Sequence, residues 1–193
     1  MKDKIRCSWC GEAPIYVDYH DNEWGRPVHD DNQLFEMLIL EGAQAGLSWL
    51  TILKKRENYR TAFDGFDPTK VALYDDVKIE CLMSNPGIVR NRLKINAAIA
   101  NAKAVLSIQA EHGSFDKYLW GYVDNKPIVN RFEKADDFIT TSPISDKISK
   151  DLKKRGMNFV GSTIIYAFMQ AVGMVNDHFI DCFVYEELTG EKN

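Results

Sequence analysis

The chain has 193 residues, of which 45% are hydrophobic and 27% charged, a balance typical of a globular protein with a sizeable core. Its net charge of −4 argues against a protein that holds nucleic acid mainly by bulk electrostatics, although a local basic face is still allowed. No apolar run is long enough to span a bilayer, and the N-terminus lacks the apolar segment of a signal peptide. We therefore expect a cytoplasmic, monomeric protein with no membrane partner and a single domain over residues 1–193.

The first 30 residues show no hydrophobic period and are dense in cysteine, histidine, tryptophan and tyrosine. Turn-forming residues separate these side chains, so the pattern predicts neither a helix nor a strand. We expect an irregular N-terminal segment over about residues 1–30, held in place by something other than backbone hydrogen bonds.

Helical patterns follow this segment. Asp30 or Asp31 caps a predicted helix that runs to about Ala43, and Ser48 caps the next one. Pro68 is well placed at the first position of a third helix. All three starts are followed by apolar residues at helical spacing, so this part of the chain is predicted to be helical.

The second half continues in the same way. A long helix follows the turn at 85–87, and a short one covers Phe115 to Trp120. Residues 124–143 look like a long connection. Ser145 is predicted to begin a helix that ends near Gly156, and the last strong helix runs from Phe159 to Val172, while 175–186 is ambiguous. Because no segment alternates convincingly, the predicted fold class is all-α.

One stretch places a single carboxylate between an apolar helix and an indole, and it reads L-E-G-A-Q-A-G-L-S-W from Leu40 to Trp49. Glutamates at helix ends are mostly exposed, so on this stretch alone an exposed Glu41 is the simpler interpretation. The alternative is a pocket in which the acid lies against apolar surface next to an aromatic ring.

The cysteines and histidines suggest a metal site. His178 and Cys182 are four residues apart, which on a helix puts both on one face, and Cys7 and His20 offer the same two ligand types upstream. Two thiolates and two imidazoles would form a closed, structural zinc site that ties the N-terminal segment to the end of the chain. Buried free thiols are the alternative. Cys10, four residues into the motif C-S-W-C, competes with Cys7 as a ligand.

The turn Asn85-Pro86-Gly87-Ile88-Val89 lies between two helical patterns, as the turn of a helix–hairpin–helix unit does. Backbone N–H groups of such a turn suit a DNA phosphate, and Arg90, Arg92 and Lys94 follow it. The usual second glycine is replaced by Val89. A helix–turn–helix corner that only packs the two helices together therefore explains the pattern equally well.

Two basic stretches could extend a phosphate-facing surface. One is Lys54-Lys55-Arg56 with Arg60, and the other is Lys153-Lys154-Arg155. Charge runs are usually only solvated faces, and that interpretation holds unless the two stretches cluster in space.

Together these residues resemble the family of bacterial 3-methyladenine DNA glycosylase I, constitutive base-excision repair enzymes of the helix–hairpin–helix superfamily. The matching stretches cover nearly the whole chain, and the first two are highly specific. They are Y-H-D-N-E-W-G, L-F-E-M-L-I-L-E-G-A-Q-A-G-L-S-W, I-L-K-K-R-E-N-Y-R, L-K-K-R-G, F-V-G-S-T, F-M-Q-A and V-N-D-H.

The resemblance implies two sets of site residues. One structural zinc ion per chain would be held by Cys7, His20, His178 and Cys182, with Cys10 a bystander. The substrate-binding residues would be Tyr16, Tyr19, Glu41 and Trp49, with Trp24 nearby. The resemblance places no catalytic aspartate downstream of the hairpin, which leaves Glu41 as the catalytic acid group.

The implied reaction flips a damaged nucleotide out of double-stranded alkylated DNA and hydrolyses its N-glycosidic bond, releasing free 3-methyladenine. Methylation at N3 makes the adenine cationic, and therefore a good leaving group, so selectivity can rest on binding. Trp49 and Tyr19 would attract the cation, and an ionised Glu41 would accept hydrogen bonds from its amine. No lysine is singled out for Schiff-base chemistry, so we expect a monofunctional enzyme without strand cleavage.

Two alternatives belong to other classes. A zinc-stapled helical module could bind DNA without any enzymatic activity, and release of free 3-methyladenine from methylated DNA would separate it from a glycosylase. A catalytic zinc hydrolase would need an open coordination position, which four protein ligands do not leave.

Overall fold

The computed structural model describes residues 4–191, which form eleven α-helices and one pair of short strands. The helices are α1 Pro14–Asn22, α2 Asp31–Gln44, α3 Trp49–Leu53, α4 Arg56–Ala62, α5 Pro68–Val71, α6 Asp76–Ser84, α7 Arg92–His112, α8 Phe115–Trp120, α9 Pro143–Lys154, α10 Ser162–Ala171 and α11 Phe183–Thr189. The strands β1 Ile128–Val129 and β2 Val175–Asn176 pair in parallel. The prediction of an all-α fold is confirmed at the level of a mostly helical chain.

Several helix starts lie where capping residues predict them. The Asp30 side chain accepts a hydrogen bond from the backbone N–H of Gln33, and Ser48 accepts one from Thr51. Asp67 caps α5 with Pro68 at its first position. These caps satisfy N–H groups that a helix leaves without intrahelical partners.

Other boundaries differ from the prediction. The N-terminal segment is not irregular throughout, because α1 occupies Pro14–Asn22, and it escapes a pattern search because only Tyr19 and His20 of that helix are buried. Helix α9 begins at Pro143 rather than at Ser145, whose hydroxyl instead closes a capping box with Ser142.

The end of the chain also differs. Helix α10 begins at Ser162 and not at Phe159, because Phe159 has a φ of 55° and Gly161 is extended. The ambiguous residues 175–186 divide into β2, a turn and the start of α11. The two-residue strands are too short for an alternating pattern to reveal.

Helix α2 forms the centre of the core. Each residue from Leu34 to Ala43 is buried, and the helix packs against α3, α7, α8 and α10. A helix that is buried on all sides is apolar around its whole circumference, which the sequence L-F-E-M-L-I-L-E-G-A nearly satisfies. Its two glutamates, Glu36 and Glu41, are therefore exceptions that require a structural reason.

A second apolar cluster joins the two ends of the chain, and it consists of Cys7, Phe179, Cys182, Val184 and Tyr185. The backbone N–H of Phe183 donates to the carbonyl of Ile5 at 3.0 Å. The N-terminal segment is thus packed against the start of α11. Within residues 4–191, none of the helices combines the length and apolar character needed to cross a lipid bilayer.

Candidate functional site

A cavity of about 320 Å³ opens between α1, α2, the start of α3 and α10. Residues 138–140 of the long connection before α9 also line it. Most of its lining side chains are aromatic or apolar, and they are Trp9, Tyr16, Tyr19, Trp24, Glu41, Gln44, Trp49, Phe138, Ile139, Thr140, Ala167 and Gln170. A mostly apolar cavity with a few polar groups is the usual form of a small-molecule site.

Glu41 is the one carboxylate that lines this cavity among residues 4–191. Its side chain is buried, at 5% exposure, and burial alone raises the pKa of Glu41 to about 8. Loss of hydration disfavours the charged form of an acid, so the carboxyl group is mainly neutral at pH 7 when the cavity is empty. A strongly raised pKa in a cleft is typical of a functional group.

Aromatic rings make up most of the wall around Glu41. The rings of Tyr19 and Trp49 are 5.5 Å apart at 52°, and Trp9 packs against Tyr16 and Trp24 with centroids 5.3 and 4.7 Å away. The indole N–H groups of Trp9 and Trp49 are buried and find no acceptor within the described part of the chain. Electron-rich faces of this kind attract a cation.

The structure therefore brings together the four side chains predicted to bind substrate, Tyr16, Tyr19, Glu41 and Trp49. Trp24 lines the same cavity. The exposed alternative for Glu41 is excluded, because its side chain is buried and α10 packs against α2. The roles of these residues stay predictions.

Sequence reasoning missed several lining residues. Trp9 lies between two cysteines, a position that drew attention to the thiols instead. Gln170 belongs to the F-M-Q-A stretch, and Gln44 lies one helical turn beyond Glu41, yet neither received a role. Ile139 and Thr140 come from a segment without a pattern, so only the three-dimensional fold brings them to the cavity.

Three of the four predicted zinc ligands converge next to this cavity. Ligand atoms of Cys7, His20 and Cys182 lie within 4.8 Å of one another, and all three side chains are buried. His178 lies outside that group of three but packs against His20, with ring centroids 5.2 Å apart. Its Nε2 atom is buried and has no hydrogen-bond partner within the described residues.

Hydrogen bonds orient both imidazole rings. His20 Nδ1 is 2.8 Å from Asp21 Oδ1, and His178 Nδ1 is 2.9 Å from Asn176 Oδ1. Each bond leaves Nε2 as the ligand atom, as the carboxylates and amides that hold the other ring nitrogen of metal-bound histidines do. The donor set and the unpartnered Nε2 of His178 fit a zinc ion.

The ionisable groups of the cluster differ in protonation. The hydrogen bond between the two thiols lowers the pKa of Cys182 and raises the pKa of Cys7, while burial of His20 is outweighed by its hydrogen bonds to Cys182 and Asp21, which raise its pKa. Burial lowers the pKa of His178 to about 3. A thiolate and a neutral imidazole are the forms that bind metal. Cys10 is buried but is not a member of the group, so the geometry favours Cys7.

The predicted hairpin between α6 and α7 does not offer free backbone donors. Gly87 N–H donates to Asn85 Oδ1, Ile88 N–H to the Asn85 carbonyl, and Val89 N–H to the Tyr59 hydroxyl. Lys94 donates to the carbonyls of Ala43 and Ala45 at the end of α2. These bonds favour a corner that packs the two helices together, the alternative that the missing second glycine suggested.

The two arginines of the basic stretch at 54–60 are paired with carboxylates rather than free. Arg56 is largely buried and pairs with Glu23 and Glu36, and Arg60 pairs with Glu36 and Glu57. These pairs explain why Glu36 is buried within α2. Lys54 and Lys55 remain at the surface, and Lys55 donates to the carbonyl of Pro86.

The corner between α9 and α10 differs from the corner between α6 and α7 in that no side chain caps its second helix. Gly156 has a φ of 86°, and α10 starts after Gly161 with no side-chain cap. Thr163 in the first turn is exposed, and the cations Lys153 and Lys154 are exposed at the end of α9. An uncapped helix N-terminus at the surface suits an anionic group.

Comparison with known proteins shows similarity along almost the whole chain. A family model described as methyladenine glycosylase matches residues 9–185. The chain is 49% identical over 180 residues to DNA-3-methyladenine glycosylase 1 of Escherichia coli strain K12, covering 93% of this chain and 96% of that protein.

Solved structures are similar to this chain in fold as well as in sequence. A crystal structure of 3-methyladenine DNA glycosylase I is similar with a TM-score of 0.90 and 50% identity, covering 93% of this chain and 98% of that one. The Staphylococcus aureus 3-methyladenine DNA glycosylase I, in a structure that addresses 3-methyladenine recognition, has a TM-score of 0.90 and 43% identity, covering 92% and 95%.

Proposed function

The chain belongs to the methyladenine glycosylase family, and from that premise we propose how its own residues act. The protein is a base-excision repair DNA glycosylase that hydrolyses the N-glycosyl bond of 3-methyladenine in DNA. The observation that supports the residue roles proposed below is the single carboxyl group, Glu41, buried in a cavity walled by aromatic rings.

Recognition rests on the positive charge of the flipped base. In the empty cavity Glu41 is mainly neutral at pH 7, because its pKa is raised to about 8. A cationic purine held next to it stabilises the carboxylate, so Glu41 gives up its proton on binding and accepts hydrogen bonds from the exocyclic amine. Neutral adenine offers no charge to offset the desolvation of a carboxylate, and it is therefore bound less well.

The rings of Tyr19 and Trp49 provide the second part of the selectivity. Cation–π attraction contributes up to about 2 kcal/mol in a desolvated site, and it is absent for a neutral base. Tyr16 shapes the same wall and is half-buried. The sum of the charge-dependent contacts favours the alkylated base over the unmodified one.

Bond cleavage needs no protonation of the leaving group, because the alkylated adenine already carries the charge. Water attacks an oxocarbenium-like sugar, and Glu41 serves recognition rather than acting as an obligatory general base. No lysine lines the cavity within the described residues, which supports a monofunctional enzyme without strand cleavage.

DNA is held by its backbone at the corner of α9 and α10, which we propose as the helix–hairpin–helix unit in place of the corner at 85–89. The uncapped start of α10 offers backbone N–H groups, and its residues Thr163 and Ile164 line a shallow cleft that also reaches Glu41. A phosphate bound there would place the flipped nucleotide near the cavity.

One structural zinc ion per chain, held by Cys7, His20, His178 and Cys182, is proposed to join the two ends of the chain. It supplies no chemistry to the reaction, since four protein ligands leave no open position. We further expect the protein to act as a cytoplasmic monomer on double-stranded DNA, as the sequence predicts.

The proposal is tested by incubating the protein with N-methylated duplex DNA and measuring both released bases and strand breaks. We expect free 3-methyladenine and intact strands at neutral pH. Strand cleavage at the abasic product would contradict the monofunctional mechanism, and binding without any released base would support the alternative of a DNA-binding module.

A further inference from the structure

One buried carboxylate has no part in the mechanism described so far. Asp177 is fully buried, and no cation pairs with it within the described residues. Three neutral donors converge on it: Tyr166 Oη at 2.8 Å, Gln170 Nε2 at 2.8 Å and Asn130 Nδ2 at 2.6 Å. Buried charges are expensive and are retained where several hydrogen bonds satisfy them.

These bonds fix the orientation of one side chain of the base cavity. An amide can present either its oxygen or its nitrogen to a neighbour, and a carboxylate only accepts. Because Gln170 must turn its nitrogen toward Asp177, its oxygen Oε1 lies on the other branch of the amide. That oxygen has no hydrogen-bond partner within residues 4–191.

Gln170 also lines the cavity, together with Ala167 one helical turn earlier on α10. Helix α10 packs against α2, the helix that carries Glu41. The carboxyl group of Glu41 and the amide oxygen of Gln170 therefore place acceptors on two different walls of the cavity. An exocyclic amine has two hydrogens, and two such acceptors can bind both of them.

Resting on the function proposed above, we propose that Gln170 is a specificity-determining residue, which presents a fixed amide oxygen to the exocyclic amine of the flipped base. Asp177 is its positioning residue. Adenine carries an amine at C6, whereas guanine carries an oxygen there. A fixed acceptor accordingly favours 3-methyladenine and repels 3-methylguanine, since two acceptors cannot pair.

The test is the ratio of 3-methyladenine to 3-methylguanine released from one preparation of methylated duplex DNA, measured as single-turnover rates. Gln170→Met keeps the length of the side chain and removes the acceptor, so we expect 3-methyladenine release to fall about tenfold or more, the usual effect of losing a hydrogen bond to a charged partner. The rate for 3-methylguanine should stay unchanged or rise, so the ratio falls.

Asp177→Asn is the second variant. Its amide nitrogen can donate to Gln170 Oε1, which allows the Gln170 amide to turn and present N–H groups to the cavity. We expect the ratio to fall in the same direction as in Gln170→Met. Tyr166→Phe is the matched control, because it removes another donor to the same carboxylate without altering the cavity wall, and its ratio should stay within about twofold of wild type.

Thermal midpoints and zinc content are measured for each variant, since a structural defect would slow release of both bases equally and leave the ratio unchanged. An unchanged ratio in both Gln170→Met and Asp177→Asn would overturn the inference. A wild-type protein that releases no 3-methyladenine would instead contradict the proposed function, so the two failures are distinguishable. If Gln170→Met does not fold, Gln170→Ala takes its place with the same expectation.

Discussion

Glu41 combines deep burial with the absence of a compensating charge. Burial alone raises its pKa to about 8, whereas the other buried glutamate of α2, Glu36, pairs with Arg56 and Arg60. An unpaired buried acid is unfavourable for folding once it ionises. The protein retains it at the one place where a cationic ligand can supply the missing charge.

This arrangement has a consequence for stability. The pKa of Glu41 is higher in the folded state than its ordinary value of 4.5, so the folded protein binds the proton more tightly than the unfolded chain. The contribution is fully present below about pH 4.5 and is lost as pH rises through about 8. Wild type should therefore lose stability relative to Glu41→Gln between pH 5 and pH 9, by up to a few kcal/mol at about 1.4 kcal/mol per pKa unit.

Urea unfolding of both proteins at pH 5.5, 7 and 9 measures this difference directly. Parallel pH profiles would mean that the Glu41 carboxyl group is ionised across the range or is hydrated in the folded protein. Either result would contradict the desolvated site described here.

At the scale of single residues, the sequence identified candidate side chains for the site but could not decide whether Glu41 is buried. The stretch around Glu41 allowed an exposed helix end or a pocket, because the α10 and 138–140 residues that share its cavity lie far along the chain. The role proposed for Gln170 depends on Asp177, which lies just after β2. Neither contact leaves a signal in local spacing.

Among the elements, the two helical corners differ in how their backbone N–H groups are used. The corner at 85–89 uses its N–H groups internally, whereas the start of α10 is uncapped. Sequence spacing indicates where a helix turns, but it cannot show whether backbone donors are already satisfied.

A single substitution tests the α10 corner. Ser162 is the first residue of α10, and Gly161 before it is extended, so proline fits at this position. Ser162→Pro removes one N–H group that would donate to a phosphate, and we expect duplex DNA affinity to fall about five- to tenfold. Binding of free 3-methyladenine should not change.

Ser162→Ala is the control, because the serine hydroxyl lies 2.8 Å from Ser145 Oγ and its loss must be separated from the loss of the N–H group. The alanine variant should bind DNA like wild type. Fluorescence anisotropy with a labelled duplex measures both, and equal affinities of the proline variant and wild type would exclude this corner as the anchor.

The caps explain why most helices were predictable. Each cap accepts a hydrogen bond from the first turn of its own helix and lies next to the apolar pattern of that helix. The caps are Asp30, Ser48 and Asp67. Helix α1 was missed because it packs against the Cys7–His20–Cys182 cluster and the cavity rather than burying one apolar face. The predicted starts at Ser145 and Phe159 were wrong by a few residues, since a capping box and a positive φ decided those ends.

Over the whole molecule, the Cys7–His20–Cys182 cluster connects the N-terminal segment to the start of α11. Trp9 follows Cys7 in the chain, and its ring packs against His20, Tyr16 and Trp24. The cluster and the cavity thus share a wall. A loosened N-terminal segment would weaken both stability and base binding.

We predict that Cys182→Ser loses zinc and much of its stability, whereas Cys10→Ser keeps both, because Cys10 is buried outside the cluster. Zinc sites of this type contribute several kcal/mol or more to folding, so the thermal midpoint of Cys182→Ser should fall by at least ~10 °C. Metal analysis that finds one zinc per chain in Cys182→Ser would contradict the four-ligand assignment.

The most direct test of the account is the single-turnover release of 3-methyladenine from methylated duplex DNA by wild type, Glu41→Gln and the control Glu57→Gln, whose carboxylate is at the surface. Glutamine keeps the size of the side chain but cannot supply a negative charge to the bound cation. We expect Glu41→Gln to remain folded and to release the base at least ~100-fold more slowly, a usual loss for one well-placed electrostatic contact, while the control matches wild type. A folded Glu41→Gln that releases 3-methyladenine at the wild-type rate would show that Glu41 does not recognise the damaged base.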